Sequence, residues 1–371
     1  MRTLKNSILI FFSFLLLAFS QPILAQPQLL LDMRSGEVLY EKDAGVAWYP
    51  ASLTKLMTSY LVFEAIKEGK VTLKTPVIMS KIAKKAPYGI ALPSESAITL
   101  EDALYLLIVK SANDVAVALA ETISGSQEAF VKQMNQSAKK LGMNGTNFTN
   151  PNGLHNKNQF STARDLAILA LTIKSQYRQY NRLFSTSEVK LGTKILQSRN
   201  NLLTGFIGTD GMKTGFICSA GLNIVATVKR NNKYLMVIIL GASSKRGRAE
   251  MAAQLLLKGF SGELNGTGKT ITRIGNRLDS SAKDMRPLIC GGQARDYVAT
   301  REKQFPYGLN GQPSFLNKNI VIGSRVNVAS LGRIRNVPLP RTRPNYIAPI
   351  KPIEENITKL IVPIPKPRIS R

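Results

Sequence analysis

The run Ser52-Leu53-Thr54-Lys55 sets a hydroxyl and an amine three residues apart, on one face of any helix that contains them. Lys55 can then take the Ser52 proton, and a helix N-terminus at the same place favours the developing anion. A free lysine titrates at about 10.4, so Lys55 serves as a base at neutral pH only where burial or a nearby cation lowers that value. Alone, S-x-x-K is weak evidence, since many solvated helix faces carry it by chance. The chain also holds Ser111-Ala112-Asn113 and Lys213-Thr214-Gly215, the latter behind Gly211-Met212 in a strand context. The three groups in this order are far more specific than any one of them. Acyl transfer needs a nucleophile with its base, a second proton carrier, donors for the oxyanion and a clamp for the substrate. Ser52 with Lys55, Ser111, two backbone N–H groups, and Lys213 with Thr214 fill those roles. Gly215 lets a substrate backbone lie close along the strand edge.

At these residues the chain resembles the low-molecular-weight penicillin-binding proteins, specifically the serine D-alanyl-D-alanine carboxypeptidases. The resemblance covers Leu29 to Phe260. It rests on Tyr49 to Thr58, on Val109 to Asp114, on Asn150-Pro151-Asn152-Gly153-Leu154, and on Asp210 to Gly215. It implies that Ser52 forms the acyl-enzyme, that Lys55 accepts its proton and that Ser111 relays it to the leaving D-alanine. Asn113 would hold a substrate amide, and Lys213 and Thr214 the terminal carboxylate. The backbone N–H groups of Ser52 and Phe216 would form the oxyanion hole. Arg248 matches a further carboxylate-binding arginine, with Arg246 a close competitor. The implied partners are peptidoglycan peptides ending in D-Ala-D-Ala and, as covalent inhibitors, β-lactams; no metal or organic cofactor is required. A D,D-endopeptidase would use the same machinery, and that choice stays open. A β-lactamase is disfavoured, because no E-x-x-L-N setting offers a deacylating Glu.

The elements that must position these groups follow from pattern. Gln28–Asp32 and Glu37–Tyr40 read as a hairpin around Arg34-Ser35-Gly36. A helix starts near Ser52, with Leu53, Leu56, Met57, Tyr60 and Leu61 on its buried face and Gly69 as its stop. Thr99 with Asp102 makes a capping-box-like start for a helix through Val109, and Asp114 is expected to cap the next, through Glu121. Helical patterns recur over 127–141 and 163–173, either side of an Asn/Gly-rich loop. Beyond Lys190 come a Gly-rich turn at 208–211, strands over 221–230 and 234–241 about Asn231-Asn232-Lys233, and a helix over 246–257. Strands at both ends around a helical insert give an α+β fold with an antiparallel sheet. With the resemblance, this becomes a β-lactamase/transpeptidase-like domain: an antiparallel sheet flanked by helices, and a helical subdomain.

Arg2 and Lys5 precede an apolar run from Ile8 to Phe19, the layout of a secretory signal peptide over residues 1–25, with cleavage after Ser20 or Ala25 both open. The expected location is therefore the periplasm or cell envelope. A net charge of +27 would suggest nucleic acid in a cytosolic protein, but an exported chain meets anionic wall polymers and lipid headgroups instead. Two cysteines, Cys218 and Cys290, argue against a disulfide-built scaffold while leaving a single bridge open, and one histidine argues against zinc. That histidine, His155, lies in the Asn/Gly-rich loop with no elbow-type serine beside it, so a Ser-His-Asp triad is disfavoured. About 19 of the 50 basic residues and 11 of the 18 prolines follow residue 260. The catalytic domain is accordingly expected over 26–260. Residues 261–371 are expected as a basic, Pro-rich extension, largely disordered and attracted to anionic wall or membrane.

Overall fold

The computed structural model describes residues 26–264, 266–279, 281–317, 320 and 323–333. The expected signal peptide, and the part of the C-terminal extension beyond residue 333, lie outside the described residues. Strands β1 (Gln28–Asp32) and β2 (Val38–Lys42) open a five-stranded antiparallel sheet. Short strands β3 (Pro76–Ile78), β4 (Ser96–Thr99), β5 (Glu188–Leu191) and β6 (Lys194–Gln197) lie in the insert. The sheet is completed by β7 (Thr209–Ile217), β8 (Gly221–Arg230) and β9 (Lys233–Ala242), in the order β2-β1-β9-β8-β7. The functional strand β7 is thus an edge strand, with one side open to a ligand. It begins at Thr209, inside the stretch expected as a Gly-rich turn.

The central strands are apolar almost continuously because both faces of the sheet are covered. Leu235, Val237 and Ile239 of β9 pack with Leu30, Ile224, Ala226 and Val228 on one face. Met236, Ile238, Leu240, Leu29, Leu31 and Val225 point into the larger core on the other. The first face is covered by α9 (Lys245–Ser261), and the second core is built with the helices of the insert. These are α1 (Lys55–Lys67), α2 (Lys81–Lys85), α3 (Leu100–Tyr105), α4 (Asn113–Ser124), α5 (Gln127–Lys140), α6 (Ala163–Gln176) and α7 (Asn181–Ser185), while α8 (Leu202–Gly205) sends Leu202 into the first core. Thr99 caps α3 by accepting from the Asp102 N–H at 3.0 Å. Asp114, expected as a helix cap, instead lies in the first turn of α4. Its carboxylate accepts from the N–H groups of Ile90 (2.8 Å) and Ala91 (3.2 Å), fastening the 87–91 loop.

Residues after Phe260 differ from the expected disordered tail up to residue 333. Thr267 and Lys269 bond to Val38, and Asn276 donates to Asp165 at 2.9 Å. Helices α10 (Arg286–Ile289) and α11 (Ala294–Gln304) follow, with Cys290 joined to Cys218 across 72 residues of sequence. A bridge closing such a loop is worth about 4 kcal/mol in chain-entropy terms. Strand β10 (Arg325–Val328) then adds in parallel to β5, and β11 (Ser330–Arg333) antiparallel to β4. Ile271, Ile274, Met285 and Val328 are buried in the main core. The compact unit therefore does not end at Phe260. Composition misled here because the strap, residues 261–333, has few apolar residues and borrows strand edges and core that already exist.

Candidate active site

Ser52 sits in a 3-10 turn, Ala51–Thr54, that leads directly into α1. Ala51 holds a positive φ of 50°, a conformation kept only when its surroundings over-determine it. Those surroundings are visible. Asn223 of β8, fully buried, donates to the carbonyls of Tyr49 (3.0 Å) and Pro50 (3.2 Å), and its own carbonyl accepts from the Gly241 N–H at 2.9 Å. On the other side, a Cβ on Gly153 would lie 2.0 Å from the Ala51 carbonyl oxygen, so only glycine lets the 150–154 loop approach. A Cβ on Gly215 would lie 3.1 Å from the Ser52 nitrogen. Strand β7 therefore runs hard against the Ser52 N–H, with Phe216 next in line.

The Lys55 amine is fully buried and makes three contacts: Ser52 Oγ at 3.0 Å, Asn113 Oδ1 at 2.7 Å and the Asn152 carbonyl at 2.5 Å. Asn113 donates through Nδ2 to the Pro87 carbonyl at 2.8 Å, which fixes its oxygen toward the lysine. Two of the three contacts are thus to groups that only accept. A neutral amine places its two hydrogens there and turns its lone pair to the Ser52 hydroxyl. Burial first, then the positive charge of Lys213, holds the Lys55 pKa well below its ordinary value, with Asp114 opposing.

Ser111 ends a π-helical turn, Leu106–Lys110, in the left-handed region (φ 64°), where the chain reverses into α4. Among the described residues its Oγ is buried with no hydrogen-bond partner, an uncommon condition that leaves the hydroxyl able to bond an added group. Two residues on, Asn113 serves first as the support of Lys55.

On β7, Lys213 and Thr214 are buried, and Lys213 Nζ donates to the Thr214 carbonyl at 3.0 Å. Burial, then the charges of Arg199 and Arg248, push the Lys213 pKa down to about 7. Arg248, 2% exposed, donates to the Arg199 carbonyl at 2.7 Å, and its Nε has no partner among the described residues. Its competitor Arg246 turns the other way, to the carbonyls of Phe305 and Tyr307 and to Glu302 at 3.5 Å. Among the described residues, no ion pair joins Lys213, Arg199 or Arg248 to a carboxylate.

The sequence reasoning missed Asn223, Arg199 and a buried group behind β7. In that group Lys174 meets Asp210 Oδ2 at 3.1 Å, and Tyr234 donates to the same oxygen at 2.9 Å. A lone amide inside the apolar run of β8 was the available signal for Asn223. His155 meets Ser219 Oγ through Nδ1 at 2.8 Å and lies edge-on to Tyr49.

A family model described as D-alanyl-D-alanine carboxypeptidase matches residues 18–244. The D-alanyl-D-alanine carboxypeptidase DacA of Haemophilus influenzae is 37% identical over 248 residues, 64% of this chain and 62% of that protein. The chain thus spans under two thirds of that relative's length. The crystal structure of penicillin binding protein 5 from Haemophilus influenzae matches with a TM-score of 0.61 at 36% identity, covering 64% of this chain and 71% of that one. Penicillin-binding protein D2 of Listeria monocytogenes, in its cefotaxime-bound form, matches with a TM-score of 0.59 at 31% identity, covering 64% and 97%. The chain belongs to the D-alanyl-D-alanine carboxypeptidase family, and its fold is that of the penicillin-binding proteins.

Proposed function

Proceeding from that membership, we propose that the chain is an exported serine carboxypeptidase that removes the terminal D-alanine from peptidoglycan peptides, and that β-lactams acylate Ser52. Neutral Lys55 takes the hydroxyl proton as Ser52 Oγ bonds to the carbonyl carbon of the penultimate D-alanine. The carbonyl oxygen becomes an oxyanion, facing the N–H groups of Ser52 and Phe216. The proton passes by way of Ser111 to the leaving nitrogen, the C–N bond breaks, and D-alanine departs. Water then attacks the ester, gives a proton to Lys55 and releases Ser52 with its hydroxyl restored. Lys213, Thr214 and Arg248 hold the terminal carboxylate, and the open edge of β7 takes the peptide backbone.

The observation that carries this reading is the set of three contacts around the Lys55 amine, which leave its lone pair only the Ser52 hydroxyl. Mass spectrometry after brief exposure to a penicillin tests it, with one covalent adduct expected on the Ser52 peptide and none in Ser52→Ala. Labelling of Ser52→Ala would sink the assignment. The same residues would serve a D,D-endopeptidase, and product analysis on monomeric and cross-linked muropeptides separates the two.

A further inference from the structure

Beside the proposed carboxylate clamp, and sharing Arg248 with it, β7 and the start of α9 border an open cavity of about 260 Å³. Arg199, Lys245 and Arg248 line one part of it, and Phe216, Leu222 and Ile289 another. Ile289 comes from the strap, outside the span of 18–244 that the family model matches. The Cys218–Cys290 bridge holds it there, since Cys290 follows Ile289 and Cys218 lies two residues past Phe216.

The cationic part is built against ordinary preference. The first turn of α9 has no acidic residue and carries Lys245 and Arg248, although a helix N-terminus favours negative charge. Among the described residues, no carboxylate pairs with Arg199, Lys245 or Arg248, and none lines the cavity. Arg248 is buried with an unpartnered Nε, a costly state unless a ligand supplies an acceptor. One terminal carboxylate, held by Lys213, Thr214 and Arg248, leaves Arg199 and Lys245 facing the cavity without an anion.

We propose that this cavity receives the side chain of the leaving residue, that it suits a D-amino acid whose aliphatic side chain ends in a carboxylate, and that Ile289 is its specificity-determining wall. The proposal rests on the hydrolytic reading above. With the scissile carbonyl at Ser52 and the terminal carboxylate on Arg248, which itself lines the cavity, the leaving Cα lies at the cavity's edge. A methyl group occupies little of that space. Methylenes can lie along Phe216, Leu222 and Ile289, and a distal carboxylate can meet Arg199 and Lys245.

Three peptides that differ only in a terminal D-alanine, D-glutamate or D-lysine test this through the rate of release of that residue by the full chain. The D-glutamate peptide is expected to exceed the D-lysine peptide in kcat/KM by about tenfold or more, the scale of one favourable and one unfavourable charge contact. Ile289→Glu should abolish or invert that ratio by putting a carboxylate among the cations. Lys245→Glu, at an exposed helix start where an acidic residue is tolerated, should lower the ratio without relying on the strap. Cys290→Ser should lower it too, by freeing Ile289. Equal wild-type rates for D-glutamate and D-lysine would overturn the proposal, as would a ratio unmoved by both charge substitutions, while D-alanine release continues. No D-alanine release from the wild type would instead remove the hydrolytic reading, and the proposal with it.

Discussion

Replacing Asn223 by alanine attacks the frame of the nucleophile without touching any group that reacts. The side chain is fully buried and makes three bonds, to the carbonyls of Tyr49 and Pro50 and from the Gly241 N–H. The Pro50 carbonyl keeps a second partner, the Leu53 N–H at 3.2 Å, so its loss is slight. The Tyr49 carbonyl and the Gly241 N–H are left buried and unmatched, at about 1–3 kcal/mol each. Some of that returns if water enters the vacated space, so the expected destabilisation is about 2–4 kcal/mol. With the Ala51 backbone no longer held from β8, Ser52 Oγ should drift relative to Lys55, and a displacement near 1 Å costs about 10²-fold in rate. Denaturant titration gives the first quantity, and stopped-flow acylation by a chromogenic β-lactam the second. A loss under about 0.5 kcal/mol, the range of an ordinary surface substitution, together with unchanged acylation would refute the reasoning.

Lys55→Ala should slow acylation by about 10²–10⁴-fold with substrate affinity largely kept, and a drop under about tenfold would count against Lys55 as the base. The Lys213 pKa near 7 in the folded chain lies below the ordinary 10.5, so the unfolded chain binds the extra proton between those values. Stability should therefore rise with pH from about 7 upward, and Lys213→Met should flatten that slope in denaturant titrations across the window. Lys213→Arg, charged throughout, should carry carboxylate recognition to higher pH; an alkaline limb of kcat/KM at the wild-type position in this variant would remove Lys213 from the clamp. A chain ending at Phe260 loses Met285 and Val328 from the core and one of the two partners of each of β4 and β5, so it should aggregate or unfold well below the wild type in a thermal melt.

The family was legible in the sequence because its motifs are particular residue types in a particular order, and local signals placed the elements that carry them. The Thr99 cap and the hairpin at Asn231-Asn232 depend on neighbours a few residues apart, and the observed elements follow them, whereas α1, expected to bury one face, is buried all round from Lys55 to Phe63 because the domain packs on every side of it. What the sequence left open depends on groups far apart in the chain. Arg246 and Arg248 are equivalent as letters, and only the turn of α9 sends one to the strap and the other to the Arg199 carbonyl. Asp114 has a capping residue's chemistry, but the 87–91 loop comes within reach and takes its carboxylate. Residues 262–333 look like a solvated tail because their short elements cannot hold themselves together. They fold where the edges of β4 and β5, a buried pocket for Met285 and the Cys218 thiol already wait, and those are properties of the tertiary structure alone.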